Sequence, residues 1–394
     1  MKKAVIYGAG NIGRGFIGQL FSESGYEISF IDVNTDVIER LNRDGQYNIY
    51  VTQGNEYQRV KVSPVRGIEG RDNESVAEAI ADAHIMATAV GVNMLKSIAE
   101  PIAMGIKRRK LQGINAYLNI IVCENMISAD KYLENLIKRY LDKDEATYFD
   151  QYIGLVEPSI GRMVPATPGD IAKTDPLAVC VEEYCSLPVD RDAFKGDIPE
   201  IKNMIPFSPF DFHIRRKLYM HNMSHALTAY LGNLKGYEYI WQANSDYSIR
   251  SVTRDALEEI SRAMAAEYRV SYSELEIFSY DLILRYDNRL LGDTTLRVGK
   301  DTKRKLSEND RFVGAVRLCL KHGIVPQNII RGIAAGFLFC PEGEESSLEV
   351  KAYLGENGII STLAKYCGIK KNEAISYMIA EEYGRLVGEK STIL

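Results

Sequence analysis

Gly8-Ala9-Gly10-Asn11-Ile12-Gly13 directly follows the apolar run Ala4-Val5-Ile6-Tyr7 and opens a segment with helical period. Few sequence features constrain a fold as tightly as a strand–turn–helix of this kind. Gly8 permits the sharp turn, Gly10 lets the backbone approach a pyrophosphate, and Gly13 lets helix and strand pack closely. The helix N-terminus adds free N–H groups and the positive end of its dipole. A glycine pattern alone is weak, because such turns are common. Here a strand precedes it, a helix follows it, and Asp32 lies nineteen residues past Gly13, at the end of the next strand, Glu27 to Ile31. A carboxylate there accepts hydrogen bonds from the adenosine ribose and repels a 2′-phosphate, so the expected cofactor is NAD rather than NADP. Gly8, Ala9, Gly10, Asn11, Ile12, Gly13 and Asp32 are its expected contacts. Thr88, Ala89 and Val90, closing another strand, are expected to add backbone contacts. The alternative is a purely structural turn with a surface aspartate.

The rest of the first half supports a parallel sheet. His84 to Val90 and Leu118 to Cys123 read as further strands, with Ile12 to Ser24 and Thr35 to Arg43 as helices between strands. Proline then marks a change: eight of the twelve prolines lie between Pro158 and Pro209, and none follows until Pro326. Long helices are permitted where proline is absent. Arg250 to Arg269 shows the period, with Val252, Ala256, Leu257, Ile260, Ala263, Met264 and Tyr268 on one stripe. The expected fold class is α/β, with a Rossmann-type dinucleotide-binding domain over 1–197 and a mainly α-helical domain over 198–394.

Lys plus Arg number 48 against 53 Asp plus Glu. A mildly acidic chain without a basic block lacks the footprint of a nucleic-acid binder. The longest apolar stretch, Gly332 to Cys340, is about half a transmembrane span. The apolar N-terminus is interrupted by Arg14 and lacks a cleavage signal, so a cytoplasmic location is expected. Six scattered cysteines read as buried small hydrophobes in a reducing compartment.

A second constellation runs from Arg215 to Ala226, with Lys217, His221, Asn222 and His225. On a straight α-helix His225 falls about 80° and Asn222 about 140° from Lys217, and Lys217 and His225 are about 12 Å apart along the axis. Three readings compete: a metal pair at His221 and His225, for which no third ligand is evident; a solvated basic face; and an acid–base centre. In the last, burial and nearby cations lower a lysine's pKa, and asparagine amides stabilise a developing alkoxide.

These blocks resemble the polyol-specific long-chain dehydrogenases, the mannitol dehydrogenase family. The resemblance rests on Gly8 to Gly18, Thr88-Ala89-Val90-Gly91, Asn119 to Met126, Phe194-Lys195-Gly196, the lysine helix continuing to Gly232, Arg297-Val298-Gly299-Lys300, Arg304-Lys305-Leu306 and Gly332 to Ala335, in order. It implies a metal-free, NAD-dependent oxidoreductase with Lys217 as general acid/base, Asn125 and Asn222 as oxyanion donors, and His225 orienting substrate or lysine. It is closest to a phosphate-using branch, implying interconversion of mannitol 1-phosphate and fructose 6-phosphate by a monomer or homodimer. Arg297, Arg304 and Lys305, in a run of five cations with Lys300 and Lys303, are the candidate substrate contacts. The same chemistry on mannitol, arabinitol, tagaturonate or fructuronate is the alternative, and a non-catalytic NAD-binding protein a further one. The chain departs from the family at Gly161, where an aspartate is usual, and at Val92, where a proline is usual; Glu157 is the carboxylate nearest in sequence to the missing one.

Overall fold

The computed structural model describes residues 1–393. Its first compact unit, Met1–Ile214, is built on a six-stranded sheet. The strands are β1 (Lys2–Tyr7), β2 (Tyr26–Asp32), β5 (Val65–Glu69), β6 (Ile85–Thr88), β7 (Leu118–Val122) and β8 (Ile153–Val156). They lie in the order β5-β2-β1-β6-β7-β8, every pair parallel. The order runs outward in both directions from β1, as in a doubly wound dinucleotide fold, and reverses between β1 and β6. Near-continuous burial along β1, β6, β7 and β8 explains why they read as unbroken apolar runs. Two apolar layers cover the two faces, one around Ile6, Phe16, Leu20 and Ile28, the other around Val5, Ile80, Ile102 and Leu133.

One addition was not anticipated. Strands β3 (Tyr47–Gln53) and β4 (Glu56–Val62) form an antiparallel hairpin, and β9 (Val179–Val181) joins β3 in parallel. The turn residues Gly54-Asn55 are a two-residue hairpin signal that would have revealed it.

The second unit, Arg215–Leu394, is helical. Its centre is the helix Met223–Leu234, buried along almost its whole length because it is mostly apolar and the Ser224 and Thr228 hydroxyls donate to the Met220 and Ser224 carbonyls. It packs against Tyr247–Tyr268, Thr295–Gly299 and Gln327–Leu338. The stripe anticipated on Arg250 to Arg269 lies on Tyr247–Tyr268, with Ala256, Leu257, Ile260, Ala263 and Met264 buried. The division of the chain falls later than 197/198, because β11 (Met204–Phe207) pairs with β10 (Leu187–Asp190) within the first unit. Among the described residues no helix is long and apolar enough to cross a membrane.

Candidate active site

The glycine turn sits at the carboxyl end of β1, beside the switch point, where ligands of doubly wound sheets bind. Gly8 has φ +106°, and a Cβ there would overlap the Ala89 carbonyl; one on Gly13 would overlap the Gly8 carbonyl. Gly10 is different: nothing lies within 4 Å of where its Cβ would stand. The turn therefore keeps open space over Gly10, which fits the close approach of a pyrophosphate. Asp32 ends β2 and closes the turn, Oδ2 accepting from the Ala9 amide at 2.7 Å and Oδ1 from the Asn34 amide at 2.9 Å. Each oxygen keeps a second lone pair for a ribose hydroxyl.

Arg14, which breaks the apolar N-terminal run, proves to be an anchor. It is buried, and its guanidinium donates to the Ala9 carbonyl at 2.6 Å and to the Leu177 carbonyl. The Thr88–Val90 edge offers less than expected. The Ala89 amide donates to Tyr7 at 2.7 Å, while the Val90 and Gly91 amides donate to the Glu124 carboxylate at 2.9 and 2.8 Å. The Ala89, Val90 and Gly91 amides are thus engaged within the fold.

Asn125 follows Glu124 on the exposed loop after β7. That loop is tied down further on, where Glu157 Oε1 accepts from the Ser128 amide at 2.7 Å. Burial raises the Glu157 carboxyl to about 7, with Asp130 and Asp190 adding to the rise and the Ser128 hydrogen bond and Lys131 opposing it.

In the second unit, Lys217–Asn222 is a π-turn leading into Met223–Leu234. A π-turn closes with i→i+5 bonds, so one residue more is accommodated before the helix returns to the same side. Asn222 therefore lies about 40° from Lys217 rather than about 140°, and His225 about 20° to the other side. The three share a far narrower face than a straight helix allows. This corrects the wheel drawn from spacing alone.

Lys217 is half-buried as a whole, with its ammonium end enclosed. Burial lowers its pKa to about 8, helped by Arg311 and Arg304 and opposed by Asp310. Arg311 was not anticipated. It is buried, its Nε donates to Asp310 at 2.8 Å, and its Nη1 reaches the Asn222 carbonyl at 3.4 Å. His225 stacks on Tyr286, with ring centroids 4.9 Å apart and planes 9° from parallel. His221 is buried, and burial holds its imidazole well below the usual histidine range, with Arg285 the next cause.

Two family models cover almost the whole sequence: the mannitol dehydrogenase Rossmann domain over residues 2–203 and the mannitol dehydrogenase C-terminal domain over 210–387. The chain belongs to the mannitol dehydrogenase family. Among curated relatives it is 38% identical to the mannitol-1-phosphate 5-dehydrogenase of Thermoanaerobacter pseudethanolicus, covering 98% of each chain. It is 33% identical to that of Caldanaerobacter subterraneus subsp. tengcongensis, covering 99% of this chain and 100% of the relative. Among solved structures, a D-sorbitol dehydrogenase in substrate-free form superposes with TM-score 0.81 at 16% identity, covering 99% and 94% of the two chains. Pseudomonas fluorescens mannitol 2-dehydrogenase, a ternary complex with NAD and D-mannitol, gives 0.75 at 13%, covering 100% and 93%. At those identities the likeness is one of fold.

One family departure acquires a physical setting. Beside Gly161 the Tyr184 ring lies 3.3 Å from where a Cβ would stand, so an aromatic wall borders the usual aspartate position. Glu157, the nearest carboxylate in sequence, accepts from the Ser128 amide. The candidate substrate cations are also largely engaged. Arg297 Nε donates to Asp293 at 2.7 Å, Arg304 pairs with Asp301 and, at 3.1 Å, with Asp310, and Lys303 pairs with Glu349 at 2.8 Å. Lys305 is buried against the Lys300 carbonyl, and burial with Arg311 and Arg304 lowers its pKa to about 7.

Proposed function

We propose that this member of the mannitol dehydrogenase family interconverts D-mannitol 1-phosphate and D-fructose 6-phosphate with NAD in the cytoplasm. The observation that carries the mechanism is Lys217: an amine lowered to about 8 among Arg311 and Arg304, on the same helix face as Asn222 and His225. A base poised near neutrality can take a hydroxyl proton and return it. When bound, NAD supplies the hydride acceptor for oxidation and, in its reduced form, the donor for reduction. Neutral Lys217 receives the hydroxyl proton at Nζ as the carbinol carbon loses its hydride. The amides of Asn222 and Asn125 donate to the oxygen as it gains negative charge, a stabilisation that needs no rearrangement at the moment of reaction. His225 orients the substrate. In reduction the Lys217 ammonium gives the proton back.

One observation keeps a second reading in view. Arg297 and Arg304 are paired with carboxylates and burial lowers the Lys305 pKa to about 7, so these cations are not a simple positive surface for a phosphate dianion. The same chemistry on an unphosphorylated polyol or a hexuronate fits these pairings as well. NADH oxidation measured with fructose 6-phosphate, fructose, tagaturonate and fructuronate tests both. Saturable turnover with fructose 6-phosphate alone is the expected result, and turnover confined to another member of the set overturns the phosphate assignment.

A further inference from the structure

Asp293 is one of the most enclosed carboxylates of the second unit, 5% exposed, and its backbone is fixed from both sides. Its carbonyl accepts from the Ile240 amide at 2.8 Å, and two residues on, the Thr295 amide donates to Glu238 at 2.8 Å. The Thr295 hydroxyl adds a hydrogen bond to the Tyr237 carbonyl at 2.9 Å. The carboxylate cannot wander, and its two oxygens face different partners. Oδ1 accepts from Arg297 Nε at 2.7 Å and pairs with Nη2 at 2.6 Å. Oδ2 lies 3.1 Å from Nε2 of His225. That second contact is bent away from ideal hydrogen-bond geometry, but both atoms are buried and neither has another hydrogen-bond partner. The carboxylate oxygen thus faces the ring nitrogen at short range in an enclosed setting.

We propose that Asp293 is a positioning residue that sets the orientation and tautomer of His225 and, through the same carboxylate, the direction of Arg297. The proposal rests on the catalytic reading above. A carboxylate facing Nε2 places the imidazole proton there and leaves Nδ1 of the neutral ring as an acceptor. Tyr286, stacked on the ring, blocks a flip that would exchange the two nitrogens. An acceptor at Nδ1 accepts a hydrogen bond from a substrate hydroxyl and would not serve a group that can only accept. Arg297 remains 41% exposed with its guanidinium held at one edge, so the remaining Nη1 edge is left to a polar group elsewhere on the same substrate. Asp293 thus couples two substrate contacts that lie 72 residues apart in sequence. Burial alone would raise the Asp293 carboxyl, yet the contacts to His225 and Arg297 hold it below its ordinary range, as an ionised anchor requires.

The test is Asp293→Asn, a change of almost no volume that can present an amide donor to Nε2 and so move the imidazole proton to Nδ1. Ketose reduction is followed at varied sugar, with NADH binding followed separately by fluorescence. The expected result is a fall in kcat/KM for the sugar of about 10- to 100-fold, the scale seen when a buried orienting partner is lost. Most of the fall is expected in KM, with NADH affinity unchanged. In a His225→Ala background, Asp293→Asn is expected to have little further effect, since partners acting as a unit are non-additive. A kcat/KM within twofold of wild type, or full additivity with His225→Ala, overturns the proposal. Lys217→Ala in parallel separates the two levels: lost turnover there with an unaffected Asp293→Asn rejects only Asp293, whereas retained turnover rejects the catalytic reading itself. Where Asp293→Asn does not fold, Asp293→Glu keeps the charge and displaces both oxygens. A rise in sugar KM supports the proposal, and wild-type kinetics overturn it.

Discussion

Glu157 Oε1 accepts the Ser128 amide proton at 2.7 Å, and Ser128 holds a left-handed backbone, φ 56°. Three residues upstream is Asn125, so one half-buried carboxylate restrains the loop bearing a proposed oxyanion donor. Glu157→Ala is expected to lower kcat about tenfold while NADH binding persists, a loss of the size a misaligned amide donor produces. Steady-state kinetics with a fluorescence titration of NADH check it. An unaltered kcat would detach Glu157 from the loop's alignment.

The same carboxyl is raised to about 7 in the fold. A group whose pKa is higher folded than unfolded stabilises below the unfolded value, and that contribution is lost as pH rises through the folded one. Wild-type Tm is therefore expected to decline between the ordinary carboxyl range and pH 7, from this group's contribution. Glu157→Gln, which can still accept from Ser128, is expected to flatten that decline. Thermal melts at several pH values compare the two slopes, and identical slopes would contradict the assignment.

As the proposed acid/base, Lys217 must be neutral to remove a proton and charged to return one. With its pKa lowered to about 8, kcat/KM for polyol oxidation is expected to rise through that pH and ketose reduction to fall through it. Arg311→Leu removes a nearby cation, so both inflections are expected to move to higher pH. Inflections that stay put would mean burial alone sets the lysine.

The glycines of the turn separate by what surrounds them. Gly13→Ala places a Cβ against the Gly8 carbonyl and is expected to lower Tm, whereas Gly10→Ala meets no protein atom within 4 Å. The Gly10 variant is expected to melt like wild type yet bind NADH at least tenfold more weakly, because a pyrophosphate is then held off the backbone. Calorimetry and fluorescence titration together read this out. Wild-type NADH affinity in Gly10→Ala would move the phosphates elsewhere.

Asp32→Ala removes a carboxylate that closes the turn through Ala9 and is the proposed ribose contact. Losing a charged hydrogen-bond partner costs about 1.5–3 kcal/mol, so NAD affinity is expected to fall by about tenfold or more. Discrimination against NADP is expected to narrow. Unchanged selectivity would show that the ribose is read by another residue.

What the sequence could disclose followed from how local each signal was. β1, β6 and β7 are buried on both faces and announce themselves as apolar runs, and Asp32 follows its glycine turn at a fixed interval. The hairpin Tyr47–Val62 was overlooked although Gly54-Asn55 marks its turn. The π-turn lay beyond reach, because amphipathic spacing assumes 3.6 residues per turn and cannot register one that takes an extra residue. Arg311 and Asp293 lie about 70 to 95 residues from Lys217 and His225 in sequence, and only tertiary packing brings them close. The cationic run near Arg304 read as positive, but the carboxylates that offset it include Asp310 and Glu349, which no local count would assign to it.

The π-turn also carries an evolutionary consequence. An extra residue in a helical turn is what insertion of a single codon would leave behind, and its removal would restore an unbroken helix that still buries Met223 to Gly232. Such a deletion would leave the lysine and the asparagine four residues apart on a regular helix, still about 40° from one another. At this place in the gene a change of frame-preserving length is thus absorbed by the turn, and an alignment that opens a one-residue gap here still pairs residues that point the same way.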